Sequence, residues 1–101
     1  MRSMDLNYEI DYLPDAVQDL DEIAAYLSQF YESTFLKFMS ALQKQIENLK
    51  TMPHIGMMHR SFRRLVVSDY LVFYKVDDAN RLVTICAILH GARDFETKLP
   101  D

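Results

Sequence analysis

Apolar residues recur along this chain with two periods, and the period changes where one element should give way to the next. Leu6, Tyr8, Ile10 and Tyr12 occupy every second position, the alternation of a half-buried strand. From Pro14 the spacing lengthens. Ala16, Leu20, Ile23, Leu27 and Phe30 stand three or four apart and predict an amphipathic helix over 14–30, with Pro14 at the first position, where its missing N–H is not needed. Asp15 and Asp19 suit the positive end of that helix. A second stripe, Phe35, Phe38, Met39, Leu42, Ile46 and Leu49, predicts another helix, capped by Ser33 and closed by Pro53 and Gly56. The short break between them predicts an antiparallel hairpin, with Phe30 and Tyr31 read as helix-end packing.

Three β-rich runs follow, at 62–67, 70–76 and 82–89. Ser68-Asp69 is a two-residue connection that sets Val67 opposite Tyr70, and Asp77-Asp78-Ala79-Asn80 is a turn that sets Val76 opposite Arg81. The expected fold is α+β in two layers, a helical hairpin packed on a four-stranded antiparallel sheet, with element order β-α-α-β-β-β and strand order 1-4-3-2. Strand alternation places Val67, Val72, Tyr74, Ile85, Ala87 and Leu89 under the helices. The other face collects Arg64, Val66, Leu71, Phe73, Lys75, Cys86, Ile88 and His90. Two helices cover one face only, so the second either receives a partner or is folded over by the C-terminal tail. Its apolar content favours the partner.

A chain of 101 residues that is half hydrophobic is expected to form a single domain over 1–101. Its net charge of −4 argues against generic phosphate gripping. The bases gather late, in Arg60, Arg63, Arg64, Lys75, Arg81 and Arg93, and Arg63 and Arg64 read as a solvated strand edge. Cys86 is the only cysteine, so no internal disulfide is expected, and it reads as a buried small hydrophobe. No apolar run approaches the ~18 residues of a membrane span, and the N-terminus lacks the core of a secretion signal. The expectation is a cytoplasmic protein with no membrane partner. His54 and His59 lack a third ligand type nearby, so neither a metal site nor a cofactor is expected.

Several spaced motifs accompany this order of elements. They are Ala16-x-x-x-Leu20-x-x-Ile23, Ile46-x-x-Leu49-x-x-x-Pro53-x-x-Gly56, Arg64-Leu65 ahead of Tyr70-Leu71-Val72-Phe73-Tyr74-Lys75-Val76, and Ala87-Ile88-Leu89-His90 followed by Arg93-Asp94-Phe95. Together they resemble the RelE/ParE superfamily of toxins from type II toxin–antitoxin modules, over nearly the whole chain. The resemblance implies the RelE-like fold and one of two activities. RelE-like members cut mRNA in the ribosome, whereas ParE-like members inhibit DNA gyrase without a hydrolytic site of their own. Where RelE-like toxins carry a catalytic Arg, this chain has Leu71. Their two strand lysines match Phe62 and Arg64, and a C-terminal catalytic Tyr matches Leu99. Arg93 matches a family Arg. RNA cleavage needs acid–base and cationic groups on one surface, and hydrocarbon stands at three of these positions. Under the expected register His90 lies six residues along its strand from Arg64, ~20 Å at roughly 3.3 Å per residue.

The resemblance therefore implies a ParE-like toxin with a role in plasmid stabilisation, one that arrests growth by binding DNA gyrase. A cognate antitoxin would neutralise it by laying a helix and an extended segment over apolar surface. Expected partner contacts are His90, Arg93, Asp94, Phe95, Leu71 and Phe73, in a homodimer or a hetero-oligomer with the antitoxin. Two alternatives stay open. One is a ribosome-dependent mRNA endoribonuclease using Arg64, His90 and Arg93. The other is an antitoxin-binding member without toxicity.

Overall fold

The computed structural model describes residues 7–91 and Leu99. The elements run β1 (Glu9–Tyr12), α1 (Pro14–Phe30), α2 (Glu32–Leu49), β2 (Met57–His59), β3 (Phe62–Val67), β4 (Tyr70–Asp77) and β5 (Leu82–His90). Helix α1 has the expected bounds. Helix α2 starts earlier than the Ser33 cap implied, because Tyr31 alone leaves the helical region, at φ −146° and ψ 68°. Its N–H still donates to the Leu27 carbonyl at 2.7 Å, and its carbonyl accepts from the Phe35 N–H at 2.8 Å. One residue thus closes one helix and opens the next.

The sheet has five strands in the order β1-β5-β4-β3-β2 and is mixed, not the four-stranded antiparallel sheet expected. The two differences have one cause. Met57–His59 is too short to show a period, yet it pairs antiparallel with β3 as an edge strand. From β2 onward each strand runs antiparallel to the one before it. The additional strand adds one reversal, so β5 arrives beside β1 pointing the same way, and the two pair in parallel.

The hairpin joining β3 to β4 pairs Val67 with Tyr70 as expected. The β4–β5 register differs. Arg81 adopts the left-handed region at φ 51° and closes the turn, so that Asp77 pairs with Leu82 and Val76 with Val83. Further along, Tyr74 pairs with Ile85 but Phe73 with Ala87, which leaves Cys86 as the extra residue of a bulge. Because strand side chains alternate, one extra residue exchanges the faces of everything beyond it. Ile88 therefore packs under the helices, whereas Ala87 and Leu89 turn to the opposite side.

Two apolar clusters result. Under the helices, Ala16, Phe38, Leu42 and Leu49 meet Val67, Val72, Tyr74, Val83, Ile85 and Ile88. On the opposite side Phe62, Leu71, Phe73, Cys86 and Ala87 pack with Leu99. The second face is therefore not left open around Leu71 and Phe73, whose side chains are 8% and 0% exposed, and Leu99 itself is 6% exposed. Burying a large aliphatic side chain is worth about 1.5–3 kcal/mol, so the chain's own Leu99 covers the patch that the strand pattern had offered to a partner.

The loop after α2 is anchored to this sheet. The buried Tyr74 hydroxyl donates to the Pro53 carbonyl at 2.8 Å and accepts from the Gly56 N–H at 2.9 Å. A Cβ on Gly56 would lie 2.7 Å from both the Arg64 carbonyl oxygen and the Tyr74 hydroxyl, so this close approach admits glycine only.

Candidate functional site

The three residues that the resemblance sets against a nuclease's Lys, Arg and Tyr lie in one cluster. Phe62 on β3, Leu71 on β4 and Leu99 belong to one buried cluster, with Phe73 edge-on to Phe62 at 6.3 Å between ring centroids. The place is built, but it is built of hydrocarbon. Polar groups stand at its margin. Lys75 Nζ lies 4.8 Å above the Phe62 ring, and the His59 ring is 5.7 Å from Phe73. Arg64 pairs in register with both Phe73 and Met57. His59 escaped notice as a member of this face because the three-residue strand carrying it left no periodic signal. Burial pushes the Cys86 thiol upward, partly countered by Lys75, which suits a packed side chain and not a nucleophile.

His90 is placed elsewhere. It ends β5 opposite Tyr70, with the rings edge to face at 5.2 Å. The bulge turns it toward the helices, so Arg64 and His90 lie on opposite faces of the sheet and cannot share a reaction centre. The expected six-residue separation is not observed, because the bulge pairs Phe73 with Ala87 and leaves His90 three residues along β5 from the level of Arg64; it is the change of face that separates them. Arg93, Asp94 and Phe95 lie outside the described residues. Arg63, expected as part of a solvated edge, instead donates to the carbonyls of His54 at 3.1 Å and Gly56 at 2.9 Å.

His90 and Tyr70 border a groove of about 650 Å³ between the helical hairpin and the β3–β4 turn. Phe38 packs on Tyr70 at 4.9 Å. At the outer end Tyr26, Phe30 and Tyr31 stack mutually at 5.3–6.5 Å while remaining 52%, 59% and 52% exposed. A hydrogen bond with Tyr31 raises the Tyr26 pKa; burial raises that of Tyr70, reinforced by Asp69 and Tyr26. Reading Phe30 and Tyr31 as helix-end packing missed this surface, because a helical stripe does not reveal that Tyr26, one turn earlier, completes an exposed group of rings.

A third cluster ties three connections together. Tyr8 donates to Asp78 at 2.6 Å, and His54 Nε2 lies 3.0 Å from the same carboxylate. The Tyr8 hydrogen bond is the main cause holding the Asp78 carboxyl below its ordinary range, and that same bond raises the Tyr8 hydroxyl. Tyr8 also borders a second groove, of about 690 Å³, between β1 and α2. Among the described residues no three His, Cys, Asp or Glu side chains gather as metal ligands, and no helix is long and apolar enough to cross a membrane.

Comparison with known proteins agrees with this architecture. Residues 10–95 match the family described as ParE toxin of type II toxin–antitoxin system, parDE. No curated protein matches the chain in sequence. Among solved structures, the fold is similar to a chain of the chromosomal ParDE system from P. aeruginosa, with a TM-score of 0.66, 17% identity, and 82% of this chain and 95% of that chain covered. It is also similar to a chain of the RelBE2 toxin–antitoxin complex from Mycobacterium tuberculosis, with a TM-score of 0.62, 17% identity and coverage of 83% and 98%. A chain of the intact E. coli RelBE complex gives a TM-score of 0.58, 16% identity and coverage of 85% and 99%.

Proposed function

We propose a function from one premise: the chain belongs to the ParE toxin family of type II toxin–antitoxin systems. It is a toxin of the RelE/ParE superfamily, and its partner is a cognate antitoxin. The proposed mode of action is growth arrest by binding DNA gyrase, with no bond cleavage by this chain. One observation carries that reading. Where a ribosome-dependent nuclease of this superfamily needs cationic and acid–base groups, Phe62, Leu71 and Leu99 form a dry cluster. Hydrocarbon neither activates a ribose hydroxyl nor stabilises a pentacoordinate phosphate. Inhibition by binding asks only for a shaped surface with a few anchoring side chains.

The antitoxin has edge strands available to it. Strand β2 ends the sheet on one side, and Met57 and Met58 on it are exposed. An added strand would gain main-chain hydrogen bonds there, and methionines adapt to a partner's shape.

A second reading, mRNA cleavage, draws on the margin of the cluster, where His59, Arg64 and Lys75 surround the rings. Two assays on the purified protein separate the readings. Gyrase supercoiling should be inhibited in proportion to toxin, and ribosome-bound mRNA should remain intact. Cleavage that His59→Ala abolishes, with supercoiling unaffected, would replace the first reading by the second.

A further inference from the structure

Helix α1 carries four carboxylates, Asp15, Asp19, Asp21 and Glu22, and neither Lys nor Arg. Asp15, Asp19 and Glu22 stand four and three residues apart and so share one helix face. Asp19 and Glu22 form one wall of the groove that ends at His90, and Asp69 stands across from them. No Lys or Arg lines that groove among the described residues. Tyr26, Tyr31 and Tyr70 line it together with aliphatic side chains such as Ile23, Leu27 and Ile88, and the exposed ring group that Tyr26 and Tyr31 form with Phe30 adjoins it. The carboxylates are held in place. Asp19 Oδ2 accepts the Ile88 N–H at 3.0 Å, and Glu22 accepts from Gln18 at 3.3 Å.

Three large rings exposed side by side at one end of a small protein are an unusual surface to leave to water. Adjacent carboxylates of a single sign narrow what can cover them. A purely apolar segment would remove Asp19 and Glu22 from water and bring no opposite charge to offset the loss. A carboxylate-bearing segment would be repelled. A guanidinium satisfies both features, because its plane stacks on an aromatic face while its N–H groups reach the carboxylates.

We propose that this groove is the docking site for an arginine-bearing, otherwise apolar segment of the antitoxin. Tyr26 and Tyr31 stack on the guanidinium, and Glu22 and Asp19 pair with it. This inference rests on the toxin–antitoxin reading and adds to it the chemistry of the partner. It also turns the acidic charge of the chain from a general property into a recognition element.

The first test uses N-acetyl-argininamide as the probe, titrated into isotope-labelled full-length protein and followed by amide NMR. Saturable shifts are expected at Glu22, Tyr26, Tyr31, Tyr70 and His90, with none from N-acetyl-glutaminamide. Shifts that never saturate, that spread over all acidic surface, or that survive in Tyr26→Leu overturn the proposal. The second test coexpresses the chain with its cognate antitoxin and compares affinities. Glu22→Gln with Tyr26→Leu should weaken the complex about tenfold or more, given the size of a desolvated cation–π and ion-pair contact. A complex formed with unchanged affinity overturns the groove and leaves the toxin–antitoxin reading intact. Failure of the unaltered protein to form a complex overturns that reading itself, whatever the argininamide titration shows. Variants are checked for cooperative unfolding first, and concentration-dependent sedimentation abolished by Tyr26→Leu would assign the groove to a second copy of the chain instead.

Discussion

Leu99 packs over the part of the opposite sheet face around Leu71 and Phe73, and its removal can be quantified. The side chain is 6% exposed and packs with Phe62, Leu71, Phe73, Cys86 and Ala87. Leu99→Ala deletes three carbon groups worth roughly 0.8 kcal/mol each when buried, or about 2.4 kcal/mol in all. A residual cavity adds to this only to the extent that the neighbouring side chains do not close on it. The expected loss is therefore about 2–3 kcal/mol in urea unfolding, mostly as a lower midpoint with little change in slope. The variant should also bind a hydrophobic dye that the parent does not, because Leu71 and Phe73 become accessible. A loss under about 0.5 kcal/mol, the level of an ordinary surface substitution, with no dye binding, would mean that Leu99 does not cover this face. The reading of Leu71 and Phe73 as partner contacts would then return.

The other predictions concern polar groups. Tyr74→Phe should cost about 2–4 kcal/mol by thermal or urea unfolding, because it leaves both the Gly56 N–H and the Pro53 carbonyl buried without a partner; a change within about 0.5 kcal/mol would show that the loop re-pairs these groups. The Cys86 thiol, buried and raised in pKa, should react with a thiol reagent at neutral pH far more slowly in the native protein than in urea; equal rates would contradict its burial. The Asp78 carboxyl, lowered first by the Tyr8 hydrogen bond, should titrate by NMR below the ordinary Asp range, and Tyr8→Phe should move it back upward. Because the folded-state value is depressed, the stabilisation linked to it is complete above the ordinary Asp range. It fades as the pH falls toward the folded-state value. An unmoved titration in Tyr8→Phe would refute that cause.

Local periodicity was enough to place both helices and four of the five strands, because a period of 3.6 or 2 is a property of neighbouring residues. The bounds of α1 and the pairing of Val67 with Tyr70 were legible for that reason. The resemblance singled out Phe62, Leu71 and Leu99, far apart in the chain, and only the fold shows that they share one apolar cluster. Which residues share a face was not legible beyond the bulge. One unpaired residue at Cys86 moved Ile88 and His90 to the helix side, and no local pattern announces an extra residue in a ladder.

The amino-acid sequence by itself determined both helices, four of the strands, the two-layer α+β class and the hydrocarbon at positions 62, 71 and 99. The tertiary structure alone decided the direction of β1 against β5, the edge strand β2, the cover that Leu99 provides and the meeting of Tyr26, Tyr31, Tyr70 and His90 around one acidic groove. Those four depend on contacts between residues far apart in the chain. Such contacts form only where burial and hydrogen bonding across the whole fold outweigh the alternatives that each segment could adopt alone.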